Sequence, residues 1–228
     1  LGVCITHDNL SAIEGSDIVL LTIKPQSLDA VMDELSGKLH SHQVVVSIIP
    51  GATIERLQRG LQHDLIVRSM PNTPAQIGSG VTAWMASPSV SDDQRAAVAE
   101  VLGAMGTAVQ LDSEEAIDMA TAMTGSGPAY VFMLLEAMID AGVHLGFQRP
   151  VAQRLAEEMI KGSILYAQQS GKHPAELRNM VTTPGGTTAS ALEVLEKGGF
   201  RTVVADAVWA AYRRAQELGN ANRNGREG

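Results

Sequence analysis

The sequence has a single cysteine, Cys4, among 228 residues. That count excludes a disulfide framework and a cysteine-based metal centre, and it fits a reducing, cytoplasmic setting. Long apolar runs are missing too. No stretch reaches the roughly 18 uninterrupted apolar residues of a membrane helix. The longest apolar region, Ala129 to Val143, is broken by Glu136 and Asp140. No signal-peptide pattern is legible. Clusters of Lys and Arg are scarce, and the net charge is -8. A diffuse acidic balance disfavours nucleic acid and anionic membrane as partners, because phosphate binding needs clustered cations. It leaves room for a local basic pocket facing a phosphorylated cofactor. The histidines show no metal-ligand spacing beyond His40-x-His42, which reads as a solvated loop, so no metal is expected. A G-x-S-x-G elbow and a P-loop are both lacking.

What is present is a globular composition, 45% hydrophobic and 18% charged, able to bury a sizeable core. The first half alternates short apolar runs with amphipathic stretches. Strands are predicted at 18–23, 44–49, 65–70, 81–85 and 109–111, with helices at 27–39, 52–61 and 92–105, the last capped by Ser91. That rhythm indicates βαβ units and a mostly parallel sheet. From Asp112 onward no strand is legible. Helices are predicted at 113–123, 129–145, 150–170, 174–181, 188–197 and 201–218, punctuated by the Gly125-Ser126-Gly127-Pro128 break, Gly171, Gly198-Gly199 and Gly219. The reading is an α/β domain over residues 1–111, an all-helical domain over 112–219 and a frayed polar tail over 220–228. The 129–145 helix is apolar nearly all round, so it must be buried on every side. It is either a subunit interface or the central core helix of one subunit.

Candidate sites cluster at strand ends and helix starts. Thr22-Ile23-Lys24-Pro25 ends the first strand, and ligands of open α/β sheets sit at the carboxyl ends of strands. Lys24 is either a ligand cation or a solvated loop lysine. The second strand ends in Ser47-Ile48-Ile49-Pro50-Gly51, where the glycine admits a ligand near the backbone or simply makes a turn. Met70-Pro71-Asn72-Thr73-Pro74 is a rigid polar loop that suits ligand positioning, or else a structural turn. Gly78-Ser79-Gly80-Val81-Thr82-Ala83 matches G-x-G-x-x-A, but it precedes a strand rather than linking strand to helix, so it is rejected as a dinucleotide fingerprint. Such a fingerprint belongs to a first βα unit, which is expected upstream of Leu1. Thr124 to Pro128 opens a helix and either holds an anion or caps that helix. Thr182-Thr183-Pro184-Gly185-Gly186-Thr187-Thr188 stands out most. Its hydroxyls flank a Gly-Gly pair just before a helix, either a receptor for a small carboxylate or a capped helix entry after a turn.

These residues carry a family resemblance. Gly125-Ser126-Gly127-Pro128-Ala129-Tyr130, then Val181 to Thr188, then Leu192 to Phe200 resemble pyrroline-5-carboxylate reductase. Thr6 to Asn9, Lys24-Pro25-Gln26 and Met70 to Pro74 are similar to that family as well, in the same order along the chain. The resemblance implies reduction of 1-pyrroline-5-carboxylate to L-proline with NADPH or NADH, the last step of proline biosynthesis. It implies a Rossmann-like domain (its N-terminal βα unit absent here) followed by a helical dimerisation domain, with dimers assembling further into rings. The active site would form between one subunit's nucleotide domain and its partner's helices. By position, Asn9, Thr22, Ile23, Lys24, Pro25, Ser47, Ile48, Ile49 and Pro50 would line the cofactor. Thr183, Gly185, Gly186 and Thr187 would hold the substrate carboxylate. Thr188 would hydrogen-bond the imine nitrogen, and Glu114 falls where the family carries an acidic residue near the site. The family often has Asn where this chain has Met180. Two alternatives stand beside this one: a related reductase of another imine or of a hydroxy acid, and a truncated, non-catalytic dimer.

Overall fold

The computed structural model describes residues 2–224, which form a five-stranded mixed sheet with helices on both faces and a helical second half. In chain order the elements begin α1 (Asn9–Ile13), β1 (Ile18–Leu21), α2 (Leu28–Leu35), β2 (Val44–Ser47), α3 (Ile54–Leu61), β3 (Ile66–Met70), β4 (Gly80–Ala86), α4 (Asp92–Gly103) and β5 (Gly106–Gln110). There follow α5 (Glu114–Ala120), a π-helical turn (Thr121–Gly125), α6 (Gly127–His144), α7 (Arg149–Ser170), α8 (Pro174–Met180), α9 (Thr187–Lys197) and α10 (Phe200–Asn224).

The strands lie in sequence order, β1-β2-β3-β4-β5. All pairings are parallel except β3 with β4. The mostly parallel, Rossmann-like sheet expected from the sequence is thus present. Residues alternate sides along β2. Val45 enters the core beneath α1, α2 and α3, with Leu28, Met32, Leu57 and Leu61. Val44 and Val46 enter the opposite core, with Trp84, Val98 and Leu102. A strand covered on both faces needs a continuous apolar run, which Val44-Val45-Val46 supplies. Each such side chain contributes about 1.5–3 kcal/mol on burial.

Local signals account for most boundaries. Ser91 caps α4 in a full capping box with Gln94. Gly171 ends α7 at φ 62°. Two expectations are corrected. The Gly125–Pro128 break does not interrupt the helical path; a π turn joins α5 to α6 there, with Ser126 N–H donating to the Thr121 carbonyl at 2.9 Å. And Gly219 does not stop the last helix, since α10 runs on to Asn224. One interior glycine costs only about 1 kcal/mol, which a long packed helix absorbs. Residues 220–224 of the expected frayed tail are therefore helical, and residues 225–228 lie outside the described residues.

The chain divides into two compact units: residues up to Pro128 together with those from Val208 onward, and Ala129–Ala207. α5 belongs with the sheet because Ile117, fully buried, packs with Met70 and Ala83. The 129–207 unit buries almost nothing of its own. Ala152 and Ala156 are its buried apolar residues among those described, and α6 has no buried residue. Of the two readings of α6, the core helix of one subunit is therefore not what a single chain builds.

Candidate active site

The expected cofactor residues gather at the carboxyl edge of the sheet. β1 and β2 are parallel, with Leu21 opposite Ser47, so the segments following them leave the sheet side by side. Ile48 N–H bonds back to the Leu21 carbonyl at 3.2 Å. Thr22, Lys24 and Pro25 are exposed, and Pro25 opens a short 3-10 turn ahead of α2. Asn9, Thr22 and Ile23 line one groove along the free edge of β1. The Asn9 amide donates to Glu34 at 2.7 Å. Ser47 is buried, and its hydroxyl accepts from Ile49 N–H at 3.2 Å. Ile49 is itself a core residue, so its side chain serves the fold. Gly51 holds φ 73°, a left-handed turn that favours glycine.

The Thr-Pro-Gly-Gly-Thr-Thr segment makes a tight turn into α9. Gly186 N–H bonds the Thr183 carbonyl at 3.0 Å, and Gly185 sits at φ 71°. A Cβ on Gly186 would strike the Thr183 hydroxyl, so residue 186 must be glycine for Thr183 to fold over it. Gly186 is the N-cap of α9 and makes no side-chain cap bond. The first N–H groups of a helix are orphans, and a helix N-terminus carries partial positive charge. This uncapped start, flanked by Thr183, Thr187 and Thr188, is chemically suited to a carboxylate. The Gly186 N–H, spent in the turn, is not among the donors. Met180 ends α8, half exposed, with its sulfur 3.5 Å from the Lys172 ammonium.

Glu114 lies elsewhere in its own unit. Its Oε1 accepts from Ile54 N–H at 2.8 Å, at the start of α3, and meets the Arg68 guanidinium at 3.3 Å. Arg68 is buried in the middle of β3 and also pairs with Asp118 at 2.6 Å. Its Nε, sealed from solvent, makes no hydrogen bond. The sequence reading passed over this cluster. A lone Arg inside the apolar run Leu65-Ile66-Val67-Arg68-Ser69-Met70 was the available signal, since a buried charge must be paired. Glu115, one residue on, accepts from the Tyr212 hydroxyl at 2.9 Å, which pushes the Tyr212 phenol above its ordinary pKa.

Asn72 was also missed as an individual. Its Oδ1 accepts from Val81 N–H at 2.9 Å, and its Nδ2 donates to the Thr124 carbonyl at 3.1 Å. Gly78 and Gly80 flank that loop and open β4, which accords with rejecting them as a dinucleotide fingerprint. Gly80 instead allows close packing: a Cβ there would lie 2.7 Å from Ala75 backbone.

Comparison with known proteins adds an independent finding. A family model described as pyrroline-5-carboxylate reductase dimerisation matches residues 114–218. A second, described as NADP oxidoreductase coenzyme F420-dependent, matches residues 1–51. A pyrroline-5-carboxylate reductase of Synechocystis is 42% identical over 94% of this chain and 80% of its own length. The crystallised reductase of Coxiella burnetii superposes with a TM-score of 0.88 at 35% identity, covering 95% of this chain and 81% of that one. The enzyme of Plasmodium falciparum, solved with NADP bound, does so at 0.87 and 31%, covering 94% and 81%. With identity of this level along nearly its whole length, the chain belongs to the pyrroline-5-carboxylate reductase family.

Proposed function

We propose that this protein reduces 1-pyrroline-5-carboxylate to L-proline at the expense of NADPH or NADH, completing proline biosynthesis. The observation that carries this reading is family membership at 42% identity over 94% of the chain. The uncapped, glycine-opened start of α9 supports it from the chemistry: the substrate bears a carboxylate, and a helix N-terminus favours an anion. When bound, the reduced nicotinamide supplies a hydride. This chain's own residues then have modest tasks. The Thr183 and Thr187 hydroxyls and the first N–H groups of α9 hold the carboxylate, with Gly185 and Gly186 giving the turn its shape. Thr188 hydrogen-bonds the ring nitrogen and orients the imine carbon. A protonated imine is already an electrophile, so positioning and electrostatics suffice and no strong side-chain acid is needed. That accounts for a site built of threonines and glycines.

Asn9, Thr22, Ile23, Lys24, Pro25, Ser47, Ile48, Pro50 and the backbone at Ile49 border the dinucleotide. Lys24 supplies positive charge where strand ends face a phosphorylated ligand. Glu114, bonded to Ile54 and Arg68, supports the fold beneath the site. We assign nucleotide binding to residues 1–111 and substrate binding and dimerisation to 112–219, a functional division that differs from the packing, in which α5 and the chain from Val208 onward go with the sheet unit. The apolar surface of α6 and α7 is covered by a second copy, giving a homodimer that assembles further into a ring. No helix of the described residues is long and apolar enough to cross a membrane, and the enzyme works in the cytoplasm.

The test is NADPH oxidation followed spectrophotometrically with 1-pyrroline-5-carboxylate. Substrate-dependent oxidation is expected. Oxidation absent with this substrate, but present with another cyclic imine, would replace this reading with that of a related reductase.

A further inference from the structure

The chain's route from α5 into α6 contains a conflict that one side chain resolves. In a regular helix the Thr124 carbonyl would accept from the N–H of residue 128. Residue 128 is proline, which has no N–H and whose ring crowds the carbonyl four residues earlier. The helix answers by widening. Thr121–Gly125 adopt a π turn, with Ser126 N–H reaching the Thr121 carbonyl at 2.9 Å. The Thr121 and Thr124 hydroxyls bond back to the Ile117 and Ala120 carbonyls at 2.8 and 2.9 Å. The Thr124 carbonyl receives the Asn72 amide instead, at 3.1 Å.

Asn72 is well held for that task. It stands in the loop after β3, whose carboxyl end lies at the same sheet edge as those of β1 and β2. Its Oδ1 is occupied by Val81 N–H, and its own carbonyl accepts from Ala75 N–H at 3.0 Å. Both ends of the amide are thus engaged within the protein. The side chain ties the sheet edge proposed to face the dinucleotide to the point, Pro128, at which the first compact unit ends. π turns are rare and concentrate at functional sites. Hydride transfer tolerates little misplacement, a shift of about 1 Å costing up to about a hundredfold.

We infer that Asn72 is a positioning residue of the reduction: its side-chain amide replaces the N–H that Pro128 lacks, and so fixes the π turn through which the chain enters α6. The inference rests on the reductase reading above. Its test is a double-mutant cycle between Asn72→Asp and Pro128→Ala. N72D keeps an acceptor for Val81 but loses the donor to Thr124, whereas P128A restores an N–H at residue 128. In the otherwise unchanged protein, N72D is expected to lower kcat about tenfold with both KM values moving less than about twofold. It should also speed amide hydrogen exchange across residues 121–130. In the P128A background the same change should cost less than about twofold. An equal cost in both backgrounds, or a loss confined to KM, would overturn the inference; the latter would make Asn72 a ligand contact. If N72D does not fold, N72A runs the same cycle, because its loss at Val81 is common to both backgrounds and cancels. Wild-type protein inactive on 1-pyrroline-5-carboxylate would instead defeat the reductase reading. The exchange measurement would then still decide whether Asn72 holds the turn.

Discussion

The sheet unit and the 129–207 unit solve the problem of burial in opposite ways. The first closes its own core on both faces of the sheet, with Met32, Leu57, Leu61, Ile66, Val67 and Val98 all fully buried. The second leaves Phe132, Met133, Leu155, Ile164, Tyr166 and Val203 between 52% and 74% exposed. Apolar area of that extent costs too much to leave in water, at about 25 cal/mol for every Å². A unit of this kind closes no core of its own among the described residues. The dimerisation model matching 114–218 fits that account. The contrast sets a unit that closes its own core against one whose apolar surface the proposed second copy would cover.

The sharpest way to break the comparison is to spoil the uncovered face. Phe132→Glu places a charge on each side of a two-fold contact and should weaken self-association about a thousandfold. Sedimentation should find monomers at micromolar concentration, with the sheet unit still folded. A dimer of unchanged affinity would mean that α6 is covered by something other than a second copy.

The sheet unit should fail from inside. Arg68→Met removes the buried guanidinium that pairs with Glu114 and Asp118, leaving two carboxylates with their side chains only 26% and 20% exposed. Breaking a buried pair by removing one partner costs about 3 kcal/mol or more. A drop in Tm of roughly 6–12 °C is expected from calorimetry. R68K, which keeps charge but not the planar fork, should fall between. An unshifted melting transition in R68M would show that the α5 anchor is not structural.

Thr188→Ala tests chemistry without packing. It should lower kcat/KM about tenfold to a hundredfold while Tm and the oligomer stay put. Undiminished kcat/KM would remove Thr188 from the site.

How far the sequence reading reached follows the same division. Period and turn residues pointed to all five strands, with β5 starting at Gly106 rather than at 109, because β2 carries the apolar run Val44–Val46 and Ser91, Gly171 and Pro174 carry their own signals. Alternation cannot say which strand runs against its neighbours, so the antiparallel β3–β4 pair was beyond it. The turn into α9, where we propose the carboxylate sits, was legible because Gly185 and Gly186 stand directly before a helical pattern. The spending of the Gly186 N–H inside its turn was not, since that depends on one φ angle. Arg68 and Asn72 escaped because their partners lie 46 to 52 residues away, a distance no local pattern spans. The π turn was hidden for a related reason: Gly125-Ser126-Gly127-Pro128 spells a break, and only tertiary contacts hold it helical.

The smallest effect belongs to the surface of the helical unit. Glu196 pairs with Arg201 at 2.8 Å, and the Arg201 hydrogen bond holds its carboxyl below the ordinary 4.5. A carboxylate whose pKa is depressed on folding stabilises the folded state above its unfolded value. That contribution is lost as pH falls through the lowered folded value. Both partners are exposed, so solvent and salt screen the pair. Glu196→Gln should therefore melt slightly earlier than wild type at neutral pH, and the gap should close in two circumstances: below the depressed carboxyl value, and at about 1 M salt, where charges more than about 3 Å apart are screened. If the gap persists in acid, the carboxylate's charge is not its source. Packing around α9 and α10 would then contribute more to this unit than its exposed surface implies, which would narrow the contrast with the sheet unit.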